Sequence, residues 1–145
     1  MKLKQVIGSG IVFGVVAIML GMVVSMLFGA LFPGMAVEYK TSLFRSWEDP
    51  LMMAFFLVFF VEGFIYAYFY DFVRQLLSGG SAFERGLKYG VALFAITSVP
   101  GMLVTYTSFV ISLPMVISWL FSGLVQLCVG IPCLAFVFEK LEAKK

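Results

Sequence analysis

Histidine is absent from this 145-residue chain, and charge is scarce: Asp, Glu, Lys and Arg make up 12% of it, against about 25% in an ordinary soluble domain. Without histidine the chain lacks the commonest general base and metal ligand. Ser9, in the triplet Gly8-Ser9-Gly10, therefore has no imidazole to activate it. Glu62 and Asp71 stand about 13.5 Å apart along a helix and on opposite faces, so they form no paired-carboxylate site. The two cysteines, Cys128 and Cys133, are five positions apart on one helix and make neither a CxxC motif nor a disulfide. No glycine-rich phosphate loop or metal-ligand cluster is present. These absences argue against an enzyme and predict no cofactor and no metal. A net charge of +2, from 10 basic and 8 acidic residues, offers no basic face to nucleic acid.

What the chain does contain is apolar surface. Hydrophobic residues make up 62% of it, and the mean hydropathy is +1.06. Residues 5–37 carry no charge, 51–70 carry only Glu62, and 89–138 carry none. A hydrocarbon core about 30 Å thick takes about 20 helical residues to cross. The last stretch is too long for one crossing and is broken at Ser112-Leu113-Pro114, so it divides in two. The pattern predicts an all-α polytopic membrane protein. Four antiparallel transmembrane helices, near 6–32, 50–76, 82–109 and 114–138, form a single membrane domain over residues 1–145.

Lys and Arg set the expected orientation. Lys2, Lys4, Arg74, Arg85, Lys88, Lys140, Lys144 and Lys145 fall on one side of a four-span chain, and only Lys40 and Arg45 on the other. Both termini are therefore expected in the cytoplasm. The first apolar run is far longer than the roughly 7–15 residues of a signal-peptide core, so it is expected to stay as an anchor despite Gly34-Met35-Ala36 behind it.

Helix ends are legible as well. Asp49-Pro50 predicts a cap and first position for the second helix. Ser81-Ala82-Phe83-Glu84 is a capping-box pattern for the third, with Glu84 and Lys88 paired one turn apart. Tyr39, Phe44, Trp47, Tyr106 and Trp119 are expected near the outer boundary, and Tyr68, Tyr70 and Tyr89 near the inner one.

Two constellations are candidates for function. Gly10, Gly14, Ala17, Gly21, Ser25 and Gly29 recur at steps of three and four along the first helix. Small residues so spaced let a second helix approach closely, either from within the chain or from a homo-oligomer or another membrane protein. The second constellation centres on Glu62. It lies about 18 Å along its helix from Pro50, near the bilayer centre, where a carboxylate costs several kcal/mol (about 2.5 or more) unless paired, hydrated or protonated. With no countercharge near, its neutral form is favoured. Gln126 lies equally far from Pro114, and Thr97 and Ser98 fall near the same depth, with Tyr66 one turn from Glu62. A polar cluster of Glu62, Gln126, Thr97, Ser98 and Tyr66 follows, either fastening helices or binding a ligand. Pro100 and Pro132 deprive the carbonyls of Ile96 and Cys128 of their usual partners, and the Thr97 hydroxyl is a candidate to satisfy the gap near Pro100.

From Gly86 to Lys140 the chain resembles a loose group of small four-span bacterial inner-membrane proteins of uncharacterised function. The resemblance rests on Gly86-Leu87-Lys88-Tyr89-Gly90, Ser98-Val99-Pro100 and Ser118-Trp119-Leu120-Phe121-Ser122-Gly123-Leu124-Val125-Gln126. It implies a multi-pass protein of the bacterial inner membrane and supplies no activity. The expected role is non-enzymatic: an accessory subunit packing on other membrane components through its first helix. The alternative is a small transporter or lipid- or ion-binding protein built on Glu62 and Gln126.

Overall fold

The computed structural model describes residues 3–143. Lys2, Lys144 and Lys145, which contribute to the charge asymmetry, lie outside the described residues. Helix α1 covers Leu3–Leu31, a short α2 covers Met35–Glu38, and α3 covers Met52–Val73. Helix α4 (Ala82–Leu93) passes through one wide π turn (Phe94–Ser98) into α5 (Val99–Ser108), and α6 covers Leu113–Ala143. The π turn joins α4 and α5 into one apolar span, Ala82–Ser108, beside those of α1, α3 and α6. Even α3, with 22 residues, extends about 33 Å and can cross the hydrocarbon layer. No strand occurs among the described residues. The protein is an all-α, four-span membrane bundle.

In this bundle α1 and α6 form the central pair. Helix α3 packs on α1, α4 packs on α6, and α3 makes little contact with the third span. Glycine permits each close crossing. A Cβ on Gly10 would strike the ring of Phe64 and the backbone of Gly63, and one on Gly63 would strike the backbone of Gly10. Across the bundle, a Cβ on Gly86 would lie 2.7 Å from the Pro132 Cα, and one on Gly90 would run into the Leu127 carbonyl. Backbones in such contact gain dispersion along both helices, the attraction available where burial from water no longer drives association.

Most of the core lies towards the end of the bundle that carries the termini. Phe13, Ala17, Ala67, Tyr70, Ile131, Leu134, Ala135 and Phe138 are fully buried there. At the far end α1 and α6 remain packed over Val24, Met115, Val116 and Ser118. Helix α5 by contrast buries no residue, and α3 buries none before Gly63. The second and third spans thus diverge as they leave the terminal end.

A polar clasp ties the spans at that end. Tyr70 donates to Glu139 (2.8 Å), Arg85 pairs with the same carboxylate (2.6 Å), and Arg74 pairs with Asp71 (3.0 Å) and with Glu142. This explains why α6 runs on to Ala143 rather than ending near 138: its last turns carry the carboxylates that meet Arg74 and Arg85. Tyr70 and Tyr89 pack ring against ring at 5.9 Å inside the bundle beside this clasp, while Tyr68 is exposed.

Local capping follows the expected chemistry with small shifts. Ser81 accepts from the Glu84 N–H (3.1 Å), while Glu84 reaches the Gly80 N–H rather than that of Ser81. Lys88 pairs with Glu84 at 3.1 Å. Asp49 accepts from the Leu51 N–H at 2.9 Å. The next bonds, Met52 to Asp49 and Ala54 to Leu51, span only three residues, so the α pattern of α3 begins at Met52. At the far end Glu38 accepts from the Ser112 N–H (3.0 Å), and Trp119 donates to the Tyr39 hydroxyl (2.7 Å). The segment after α1 is thereby pinned to the start of α6.

Two outcomes are expected. Gly90→Leu should lower the unfolding free energy in detergent by about 1–3 kcal/mol through overpacking. Gly29→Leu, with nothing within 4 Å of its would-be Cβ, should change it by less than about 0.5 kcal/mol. The Ser112 hydrogen bonds hold the Glu38 carboxyl below its ordinary value of 4.5. The tie is therefore complete above that value and is lost as pH falls through the lowered one. The protection factor of the Ser112 amide, its exchange corrected for the intrinsic pH dependence, should fall on acidification from pH 6 to about 3, and Glu38→Gln should abolish that fall.

Candidate functional site

Divergence of the second and third spans leaves a cavity of about 260 Å³ between them, floored by α1 and α6. Glu62 and Tyr66 reach it from α3, Thr97 and Ser98 from the π turn, and Gln126 from α6. All five residues of the predicted polar cluster line this one space. Its remaining walls are Phe13, Phe59, Leu127 and Gly123. The common depth follows from helix register, since the antiparallel pairings of α1 with α3 and α6 bring residues equally far from the helix starts to one level.

These side chains are engaged to different degrees. The Gln126 amide donates to the Ala17 carbonyl on α1 at 3.0 Å, in the space left by Gly21, whose would-be Cβ would lie 2.6 Å from that nitrogen. Gln126 is thus a fastener between the central helices. The Thr97 hydroxyl donates to the Leu93 carbonyl at 2.7 Å. This corrects the expectation that it would serve the carbonyl orphaned near Pro100. In the π turn the Val99 N–H reaches five residues back to Phe94, so the helix widens one turn before the proline and the Thr97 hydroxyl meets its own i−4 carbonyl. Such turns displace side chains from the regular helical register, and here they set Thr97 and Ser98 at the mouth of the cavity.

Among the described residues, no hydrogen bond or ion pair engages the Glu62 carboxyl, the Tyr66 hydroxyl or the Ser98 hydroxyl. Glu62 is half-buried on the cavity wall. Tyr66 is held by its ring, which meets Phe13 edge to face at 5.3 Å, and its backbone carbonyl accepts from the Tyr89 hydroxyl (3.4 Å). Its own hydroxyl is left to the cavity. Among the described residues, no three of Cys, Asp and Glu come together as a metal site.

The small-residue stripe divides in two. Gly10 and Gly14 lie under Phe64 and Phe60 of α3, Ala17 is fully buried, and Gly21 faces Gln126. Ser25 is exposed and Gly29 has open space around it. A helix turns about 100° per residue, so each step of four advances the stripe about 40° and the single step of three returns about 60°. From Gly10 to Gly29 the stripe winds about 100° out of the interface, which corrects the reading of one straight face.

Several polar contacts were not foreseen. Arg74 and Arg85 were recognised as basic loop residues, but their partners Glu142 and Glu139 lie far off in the chain; Glu139 and Glu142 standing three apart just past the uncharged stretch 89–138 was the available signal. Gln5 is wholly buried in α1 with no partner for its side-chain amide among the described residues, and the Ser9 hydroxyl donates to the Gln5 backbone carbonyl at 2.6 Å.

If Gln126 fastens and Glu62 does not, substitution separates them. Gln126→Leu should cost about 0.6 kcal/mol in detergent unfolding, a typical intramembrane hydrogen bond. Glu62→Gln should leave the unfolding free energy within about 0.5 kcal/mol of the wild type. A loss of several kcal/mol for Glu62→Gln would make it a structural tether. No protein-family model, curated protein or solved structure matches the chain.

Proposed function

We propose that the protein is a non-enzymatic intramembrane binding protein of the bacterial inner membrane, with both termini in the cytoplasm. It holds a small ligand between its second and third spans, as a carrier or small transporter would. The observation that carries this reading is the convergence of the Glu62 carboxyl and the Tyr66 and Ser98 hydroxyls, none with a protein partner among the described residues, on one mid-bundle cavity. A polar group in hydrocarbon is costly unless something satisfies it, and a ligand or its accompanying water is what remains to do so.

A purely structural cluster would hold its members in mutual hydrogen bonds, as Gln126 does with Ala17. The orientation rests on the basic-residue asymmetry, and the inner-membrane location on the resemblance of the 86–140 segment. Of the small-residue stripe on the first helix, only the Ser25–Gly29 end is left for a docking partner, since Gly10, Gly14, Ala17 and Gly21 are occupied by α3 and α6.

Gly123→Phe tests the reading. A Cβ there meets only the Ser98 side chain, at 3.1 and 3.5 Å, so the new ring would fill the cavity without displacing backbone. Native mass spectrometry of protein released from its membrane should find a small-molecule adduct on the wild type that Gly123→Phe lacks. Ser98→Cys, with Cys128 and Cys133 replaced by Ala, should react with N-ethylmaleimide in liposomes, and the added Gly123→Phe should slow it at least tenfold. Identical masses and identical thiol reactivity with and without the filled cavity would reject the reading.

A further inference from the structure

We propose that the ligand is a small organic cation with an apolar body, of the alkylammonium or N-alkylpyridinium kind, and that Glu62 is its counter-ion. This rests on the cleft reading above and names the chemistry that fits it.

Charge is the first argument. Among the residues lining the cavity, Glu62 is acidic and none is basic. The nearest basic residue along α3, Arg74, is twelve positions away, about 18 Å along the axis, and is already paired with Asp71 and Glu142. An anion would find no positive group on the cavity wall. A cation supplies the countercharge that Glu62 lacks, and the pair carries no net charge in the hydrocarbon.

The walls are the second argument. Phe13, Phe59 and Tyr66 line the same cavity as the Glu62 carboxyl. The face of an aromatic ring is electronegative and attracts a cation within about 6 Å of its centre. The Tyr66 and Ser98 oxygens on the same cavity add electronegative atoms towards a positive group. Aromatic faces and Leu127 also suit an apolar body, which a simple polar cleft would not.

Size and access are the third. A water molecule occupies about 30 Å³ of liquid, so a bare metal ion would leave most of the 260 Å³ cavity to solvent. The cavity opens between α3 and the third span, whose far halves are exposed over Leu57, Val58, Ile96 and Leu103. On a membrane bundle these face lipid, so a ligand arriving between the spans must partition into the bilayer first. An alkylammonium or N-alkylpyridinium cation meets both requirements.

The test compares 1-methyl-4-phenylpyridinium with its neutral isostere 4-methylbiphenyl and with biphenyl-4-carboxylate, by equilibrium dialysis against the full-length protein in lipid nanodiscs, with empty nanodiscs subtracted. The cation should bind at least tenfold more tightly than either other probe. Glu62→Gln should weaken it at least tenfold and leave 4-methylbiphenyl unchanged, whereas Glu62→Asp should keep the preference for the cation. Equal binding of cation and isostere, or indifference of the cation to Glu62→Gln, overturns the proposal. If Gly123→Phe then still abolishes probe binding, the cleft reading survives that failure. Absence of binding by all three probes overturns the proposal too, and combined with identical adduct masses in the wild type and Gly123→Phe it removes the cleft reading as well.

Discussion

The close approach of helix backbones at glycine governs the rest of this bundle. Gly10 against Gly63 brings α1 and α3 together, and Gly86 and Gly90 bring α4 onto α6 along Leu127–Ala135. All of these contacts fall in the half of the bundle nearer the termini. Helices tightly bound at one end and lacking such contacts at the other have no force to hold them parallel, because lipid packs against apolar side chains as well as a neighbouring helix does. Helix α3 and the third span accordingly separate towards the far end, and the cavity is the space their separation leaves.

Within that space the two amide- and acid-bearing residues divide the work. Gln126 spends its donor on the Ala17 carbonyl and so binds α6 to α1, in a gap that exists because residue 21 has no side chain. Glu62, on the flanking helix, faces the cavity rather than a partner helix. The π turn completes the arrangement from the other side. It widens the third span just before Pro100, where regular bonding is interrupted, and turns Thr97 and Ser98 into the mouth of the cleft.

The clasp gives this geometry its asymmetry. Tyr70, Arg85 and Glu139, with Arg74, Asp71 and Glu142 beside them, tie the second, third and fourth spans at the terminal end. Tyr66, which lines the cleft, is joined to the clasp through Tyr89 and Tyr70. Polar groups partly removed from water and satisfied in several directions resist separation better than isolated surface pairs. The far end has a lighter tie, Glu38 to Ser112 and Tyr39 to Trp119, which anchors the long connection to α6 but leaves α3 and α5 apart.

Hydropathy and charge spacing determined the class, the number of spans and their antiparallel order, because the energetics of a slab of hydrocarbon act on composition along the chain and need no knowledge of neighbours. Depth was legible for the same reason: Glu62 and Gln126 share a level because each lies twelve residues from a proline near a helix start. Azimuth was not. The stripe from Gly10 to Gly29 looks continuous in the sequence, yet its steps of four wind it out of the interface, and only packing decides that Gly21 meets Gln126 while Gly29 meets nothing. The partners of Arg74 and Arg85 were equally hidden, since pairing across 54 and 68 positions depends on which helices lie side by side. Which polar group fastens and which stays free is likewise a tertiary matter, because a hydrogen bond needs a partner within about 3 Å, and no linear spacing supplies that distance.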